Sequence, residues 1–261
     1  MTIESPTATL SSGVKSADRL MLLLEYLASN GQMPFSSIVK DLDLPNSSAH
    51  QLLQTAIHRG FIELDPKART YRLGLKILEI GQAYFRALDL PAIAQPYMDR
   101  LLLLLGETIQ LAKLDGLDTI HIAVAKSDHA VKLITDVGMR RPAHATGLGK
   151  VLLASLPEEE VRARLRGAKL RAFSDHTITD HDELIEELRR VRERGYAEDR
   201  EEFAVGCWCF AMPLRNETGQ TVAAMSVSIP TPRLTEEIAR TALVRLGEMA
   251  RTIEARLGNS E

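Results

Sequence analysis

Four groups of residues have the types and spacing to do chemistry. Gly147-Leu148-Gly149-Lys150 invites comparison with a phosphate loop. It is not one: no glycine stands at the required upstream position, and Val151 follows the lysine where Ser or Thr is needed. What it offers is close backbone approach and N–H groups at the start of a helix, which suit a carboxylate. Ser226 and Ser228 lie two apart on an expected strand and so share a face, as do Cys207 and Cys209. Small polar groups on a buried face form either a pocket floor or hydrogen-bonded core filler. Asp199 sits among Glu198, Glu201 and Glu202, a run whose ordinary reading is a solvated face. Asp175, His176, Asp180 and His181 are close in sequence. They lack a His-x3-His pair on one helix face, and Cys-x-Cys alone is no zinc site, so no metal and no cofactor are expected. Cys209 with His144 and Asp199 would make a nucleophilic triad on paper. A strand-borne Cys between Trp208 and Phe210 reads instead as buried packing, as does Trp208 itself, and no catalytic residue is expected.

These groups need a scaffold, and the second half of the chain reads as α/β. Thr108–Leu114 and Thr119–Ala125 are strand-like around the hairpin turn Asp115-Gly116-Leu117-Asp118. Val131–Val137 is expected as a third strand. Helices follow at about 147–155, 158–167 and 180–194, the last with a capping-box-like start in Thr179 and Asp182. Cys207–Arg215 and Thr221–Ile229 are expected strands around Asn216-Glu217-Thr218-Gly219, and a final helix starts near Thr235.

Composition bounds the setting. The chain has 261 residues, 45% hydrophobic and 26% charged, with a formal net charge of −3. That describes an ordinary globular protein of one or two domains, and bulk charge does not advertise nucleic acid. Met1–Ser12 carries neither a basic region nor an apolar core, so no secretory leader is expected. The apolar run Leu101–Leu105 is too short to span a bilayer. Two cysteines one residue apart form no disulfide framework. The expected location is cytoplasmic.

The first 74 residues hold a different pattern. Leu20, Leu23, Leu24 and Leu27 recur at helix spacing, and Gly31 ends that helix. Phe35 precedes a short helix carrying Ile38, Val39 and Leu42. After the break at Leu44-Pro45, Asn46 is expected to cap a third helix. There Ala49, Leu52, Leu53 and Ala56 face the core, which sends Ser47, Ser48, His50, Gln51 and Gln54 outward. Two short helices, a Pro-containing turn and a polar-faced third helix match a helix-turn-helix. Phe61–Leu64 and Thr70–Leu73 then alternate as strands of a wing, with Lys67 and Arg69 at its tip. Seven Lys and Arg stand against seven Asp and Glu in residues 1–74. The domain is close to neutral. Base readout would therefore lean on Ser, Gln and His, and phosphate anchoring on Lys15, Arg19, Lys67 and Arg69. Between the two halves, Leu75, Leu78, Phe85 and Leu88 form a helical stripe, closed by Asp89-Leu90-Pro91.

Val14-Lys15-Ser16-Ala17-Asp18-Arg19, Leu44 through Leu53, Arg59-Gly60-Phe61 and Tyr71-Arg72-Leu73-Gly74 together resemble the IclR family of transcription regulators. So do Pro142 through Lys150, Gly195 through Glu202, and Ala223 through Ser228, in order over nearly the whole chain. The resemblance implies an α+β two-domain chain. Residues 1–13 would be a disordered tail, 14–74 a winged helix-turn-helix, 75–90 a linker helix and 91–258 a GAF-like α/β effector domain with a curved antiparallel sheet.

What the resemblance implies for sites follows. Lys15, Arg19, Asn46, Ser47, Ser48, His50, Gln51, Gln54, Lys67 and Arg69 would meet double-stranded DNA at a near-palindromic operator. Leu133, Gly147, Leu148, Asp199, Cys209, Ser226 and Ser228 would meet a small organic or aromatic acid, with Ser226 and Ser228 donating hydrogen bonds. Leu148 is bulkier than the small residue expected there, so the cavity would be reshaped. The linker helix would lie beside a dimer interface, the dimer pairing further into a tetramer, with no membrane partner. The expected function is a ligand-responsive regulator of a metabolic or catabolic operon, repression being the commoner family habit. The competing reading is a small-molecule hydrolase with an accessory winged helix.

Overall fold

The computed structural model describes residues 14–86 and 89–257, side chains of Phe85, Arg86 and Asp89 excepted. The expected tail over 1–13 and the stripe positions Phe85 and Leu88 lie outside what is described. The chain divides into two compact units between Ala87 and Leu88.

The first unit runs α1 (Lys15–Asn30), β1 (Met33–Pro34), α2 (Phe35–Asp41), α3 (Asn46–His58), β2 (Ile62–Asp65), β3 (Thr70–Leu73) and α4 (Leu75–Arg86). Its core gathers Leu23 and Leu27 from α1, Ile38 from α2, Leu53 and Ala56 from α3, and Ile62 from β2. This is the i, i+3, i+4 stripe of each helix turned inward. The wing has a third strand, β1, giving the antiparallel order β1-β3-β2. Gly74 is obligatory here: a Cβ on it would stand 2.3 Å from the Gly60 carbonyl oxygen.

Two expectations at helix ends are corrected. Asn46 is the first residue of α3 and makes no cap; Pro45 holds the cap position without a side-chain bond. The helix expected to reach Leu88 is described only to Arg86, and Asp89-Leu90-Pro91 opens another helix. A proline in a first turn gives up only an N–H that has no partner there anyway.

The second unit runs α5 (Asp89–Leu105), β4 (Thr108–Asp115), β5 (Asp118–Ala125), β6 (Arg140–Pro142), a 3-10 turn (Ala143–Ala145), α6 (Gly147–Ala154), α7 (Glu158–Leu165), α8 (His181–Arg194), β7 (Ala197–Arg200), β8 (Cys207–Arg215), β9 (Thr221–Pro230), a 3-10 turn (Thr231–Arg233) and α9 (Glu236–Leu257). The strands form one six-stranded antiparallel sheet, β6-β5-β4-β9-β8-β7. Alternation then sorts side chains between its faces. Ile109, Leu111, Phe210, Leu214, Met225 and Val227 pack with α5 and α9, while Ala112, Ala211 and Ala224 pack with α6, α7 and α8.

Val131–Val137, expected as a strand, is irregular; Val131 and Ile134 are exposed. The edge of β5 that it would have used is taken by residues 138–142, through β6 and the bonds between His121 and both Gly138 and Met139. The cap of α8 is Asp180, whose carboxylate accepts from Asp182 and Glu183 N–H, and not the Thr179–Asp182 pair.

Candidate functional site

The polar face of α3 is what remains once Ala49, Leu53 and Ala56 are buried. Asn46, Ser47, His50, Gln51 and Gln54 are exposed on it, and His50 lies against the Phe35 ring at 4.9 Å. Ser48 departs from the expected outward set. It is half-buried, and its hydroxyl accepts a bond from Arg19 of α1 at 3.3 Å. Ser48 and Leu52 are four apart and share the flank of the core stripe, so Ser48 ties α1 to α3. Lys15 is exposed at the start of α1.

The wing tip is held by Asp65. Its carboxylate accepts the Lys67 and Ala68 N–H groups at 2.8 and 3.1 Å, and those bonds hold its pKa below the usual range. Lys67 and Arg69 project from this turn exposed, Arg69 with a φ of 54°. Arg72 pairs across the strands with Glu63 at 2.9 Å, so it stabilises the wing.

In the second unit the alternation that sorts the core also assembles a small cavity on the α6 side of the sheet. Gln110 comes from β4, His121 from β5, Asp199 from β7, Cys209 from β8 and Ser226 from β9. Thr146, Gly147 and Leu148 at the start of α6, with Leu133, Arg141 and Phe203, complete the lining. Register makes them neighbours: Gln110 pairs with Ser226, Cys209 with Ser228, and Asp199 with Cys209.

The α6 start is ordered by its cap. Thr146 Oγ1 accepts the Gly149 N–H, and the Thr146 carbonyl accepts from Lys150. Gly147 and Leu148 keep N–H groups with no acceptor among the described residues, both buried at the cavity edge. Gly149 has a different reason from the expected ligand approach. A Cβ on it would stand 2.1 Å from Ala143 Cα, so the glycine lets α6 seat on the turn before it.

Ser226 and Ser228 are not free donors, a correction to the expectation. Ser226 Oγ donates to Gln110 Oε1 and Gln110 Nε2 donates to Ser228 Oγ, each at 3.0 Å. Ser228 also meets Cys209 Sγ at 3.1 Å and lies behind the lining. Ser226 therefore faces the cavity with acceptor lone pairs.

Beneath the cavity Lys150 is 1% exposed and bonded to Glu202 at 2.5 Å. Asp199 is buried beside them, and burial, with the Glu202 charge adding, pushes its pKa up to about 7. Its carboxylate accepts the Glu202 and Phe203 N–H groups. His121 is pushed down to about 4 by burial, with the Arg141 charge adding, so it is a neutral ring bonded to Thr135.

The arrangement suits binding an oxyanion and not attacking a substrate. The Cys209 thiol is pushed up by the neighbouring Cys207 and by burial, the reverse of an activated nucleophile. His144, its imagined base, bonds the Arg171 carbonyl. His181 bonds the Ala168 carbonyl while Asp180 caps α8, which separates the histidine–aspartate group. Among the described residues no cluster could hold a metal.

Sequence reasoning missed Gln110, His121, Arg141, Thr146 and Phe203. Gln110 and His121 had a signal, each a polar residue between apolar neighbours on its strand, Ile109 and Leu111 for the one and Ile120 and Ile122 for the other. Arg141 had none, because the strand carrying it was placed elsewhere.

Comparison with known proteins agrees with this division. Residues 16–66 match the model of the IclR helix-turn-helix domain, and residues 82–255 that of the bacterial transcriptional regulator IclR C-terminal domain. The HTH-type transcriptional repressor AllR of Salmonella typhi is 36% identical over 253 residues, covering 96% of this chain and 92% of that one. AllR of Escherichia coli K12 is 35% identical over 249 residues, covering 94% and 91%. Among solved structures, the Thermotoga maritima IclR superposes with a TM-score of 0.75 at 27% identity, over 94% of this chain and 99% of that one. An IclR homolog from Microbacterium hydrocarbonoxydans, complexed with 4-hydroxybenzoate, superposes with a TM-score of 0.82 at 27% identity, over 94% and 100%. With a helix-turn-helix first and a cavity-bearing α/β unit second, each matched in its own place, the chain belongs to the IclR family of bacterial transcriptional regulators and is not an enzyme.

Proposed function

We propose that this regulator is a repressor whose hold on DNA is altered by a small carboxylate bound in the second unit. The observation that carries the reading is the pair of buried N–H groups of Gly147 and Leu148, at the edge of a small cavity that lacks an activated nucleophile. A helix N-terminus bears partial positive charge and receives a carboxylate well. The repressor names of the relatives and the 4-hydroxybenzoate in one homolog support it.

On DNA, α3 enters the major groove with Asn46, Ser47, His50, Gln51 and Gln54 toward base edges and the neighbouring backbone. Lys15, Lys67 and Arg69 take phosphates, while Arg19 and Ser48 fix the entry of α3. A near-neutral winged helix makes few phosphate contacts, so useful affinity needs two copies on one near-palindromic site. The exposed Leu75 and Leu78 of α4 and Met21 and Leu22 of α1 support a homodimer through these helices, pairing further into a dimer of dimers. The operon is metabolic or catabolic and the protein cytoplasmic; among the described residues no helix is long and apolar enough to cross a membrane.

The test uses the full chain on the DNA upstream of its own gene and neighbouring operons. Binding is expected to weaken steeply with salt. An organic acid that raises the melting temperature should change DNA affinity and be recovered unaltered. Binding that ignores salt, or an acid that is consumed, overturns the reading; consumption would favour the hydrolase.

A further inference from the structure

Two adjacent arginines on β6 meet opposite fates. Arg140 and Arg141 point to opposite faces of the strand. Arg140 turns outward and finds two carboxylates, Asp115 at 2.8 Å and Asp118 at 3.3 Å. Arg141 turns to the cavity and finds none among the described residues. Its guanidinium donates one bond, to the Ile134 carbonyl at 3.2 Å, and lies 4.8 Å from the centre of the Phe203 ring. Phe203 and His121, the ring that feels its charge, are both cavity walls.

A guanidinium has five N–H donors, and a half-buried one without a counter-ion is short of both charge and bonds. The direction of its pKa agrees: burial lowers it and no acid raises it. The other charged groups at the cavity do not supply the missing anion. Glu202 gives Oε1 to Lys150 while its Oε2 is buried without a hydrogen-bond partner, and Asp199 spends one carboxylate oxygen on two backbone N–H groups; neither carboxylate is bonded to Arg141. Arg141 and the start of α6 are thus separate positive features lining one small space, each lacking its anion.

We propose that Arg141 selects an effector with two oxyanionic groups, a short dicarboxylate, one end on the Gly147 and Leu148 N–H groups and the other on the guanidinium. This rests on the effector-cavity reading above. The guanidinium is planar by its own delocalisation, and the Phe203 ring 4.8 Å away helps hold it in place, which suits bidentate recognition of a carboxylate.

The test is titration calorimetry on the full chain with three pairs of equal carbon count: malonate and propionate, succinate and butyrate, glutarate and valerate. Within each pair a methyl group replaces one carboxylate. For at least one pair the diacid should bind roughly ten- to hundredfold tighter, the size of one charged hydrogen-bonded pair. R141Q should erase that preference, and R141K, which keeps charge but loses the fork, should reduce it several-fold. Equal binding of diacid and monoacid by the wild type overturns the proposal while leaving the effector cavity standing, as does an R141Q that keeps the preference. Binding of no acid in any pair overturns both. The wild-type comparison needs no variant, so it decides the matter even if R141Q fails to fold.

Discussion

The two units hold the same polar residue types in opposite ways. On α3, Ser47, Gln51 and Gln54 stand in water, positioned only because Ala49, Leu53 and Ala56 behind them are buried. In the sheet of the second unit, Gln110, Ser226 and Ser228 are 2% exposed or less and are bonded to one another. A surface side chain contributes almost nothing to stability and is free to read a partner. An unpaired buried polar side chain costs about 1–3 kcal/mol, and Gln110 and the two serines avoid that cost by satisfying one another before any ligand arrives. The DNA face can therefore be altered without cost to the fold, whereas the cavity residues belong to the fold and to the site at once.

That contrast predicts where substitutions act. The largest effect should come from Lys150→Met, which leaves Glu202 buried and unpaired. We expect a loss of about 3–5 kcal/mol and a melting temperature lower by roughly 6–20 °C, read by calorimetry. A loss below about 1 kcal/mol would break the contrast, because the cavity floor would then behave like surface. Next is Gln51→Ala. It should erase about 1–3 kcal/mol of discrimination at one operator position, measured by competition with substituted sites, while the melting curve stays put.

Of similar size but dependent on pH is Asp199→Asn. The Asp199 pKa is about 7 in the fold and near 3.8 when unfolded. The folded state therefore keeps a proton that the unfolded chain releases. That contribution is present below the lower value and is lost as pH rises through the upper one. An asparagine at this position would have no such loss, so the melting temperature of the variant relative to wild type should rise between pH 5 and pH 8. Each kcal/mol corresponds to about 2–4 °C, and a constant offset across that range would mean Asp199 titrates normally. The smallest expected effect is Arg69→Ala. It should weaken binding to all sequences alike and reduce the salt slope by about 1, with no change in melting. A loss confined to one sequence would move Arg69 from the backbone to a base.

What was legible in the residues was whatever depends on neighbours along the chain. Helix spacing exposed α1, α2 and α3 with their buried faces, and strand alternation set Ser226 with Ser228 and Cys207 with Cys209. Helix α5 was missed because the run Leu101–Leu105 blurs its period and two prolines, Pro91 and Pro96, argue against a helix that in fact tolerates them. Val131–Val137 has the β-branched content of a strand, yet a strand exists only if an edge is open to it, and residues 138–142 had taken that edge. The same misplacement hid Arg141.

The period, face and end of most elements, and the motifs that carry the family, could be read from the residues alone, because φ/ψ preference and i, i+3, i+4 or i, i+2 spacing are local. Three outcomes needed the folded chain: Gln110 occupies both serines, Glu202 answers Lys150 from 52 residues away, and Arg141 lacks an acid where Arg140 has two. They turn on which strand pairs with which and in what register. That choice is made by burial across the whole unit and leaves no mark on any one stretch of chain.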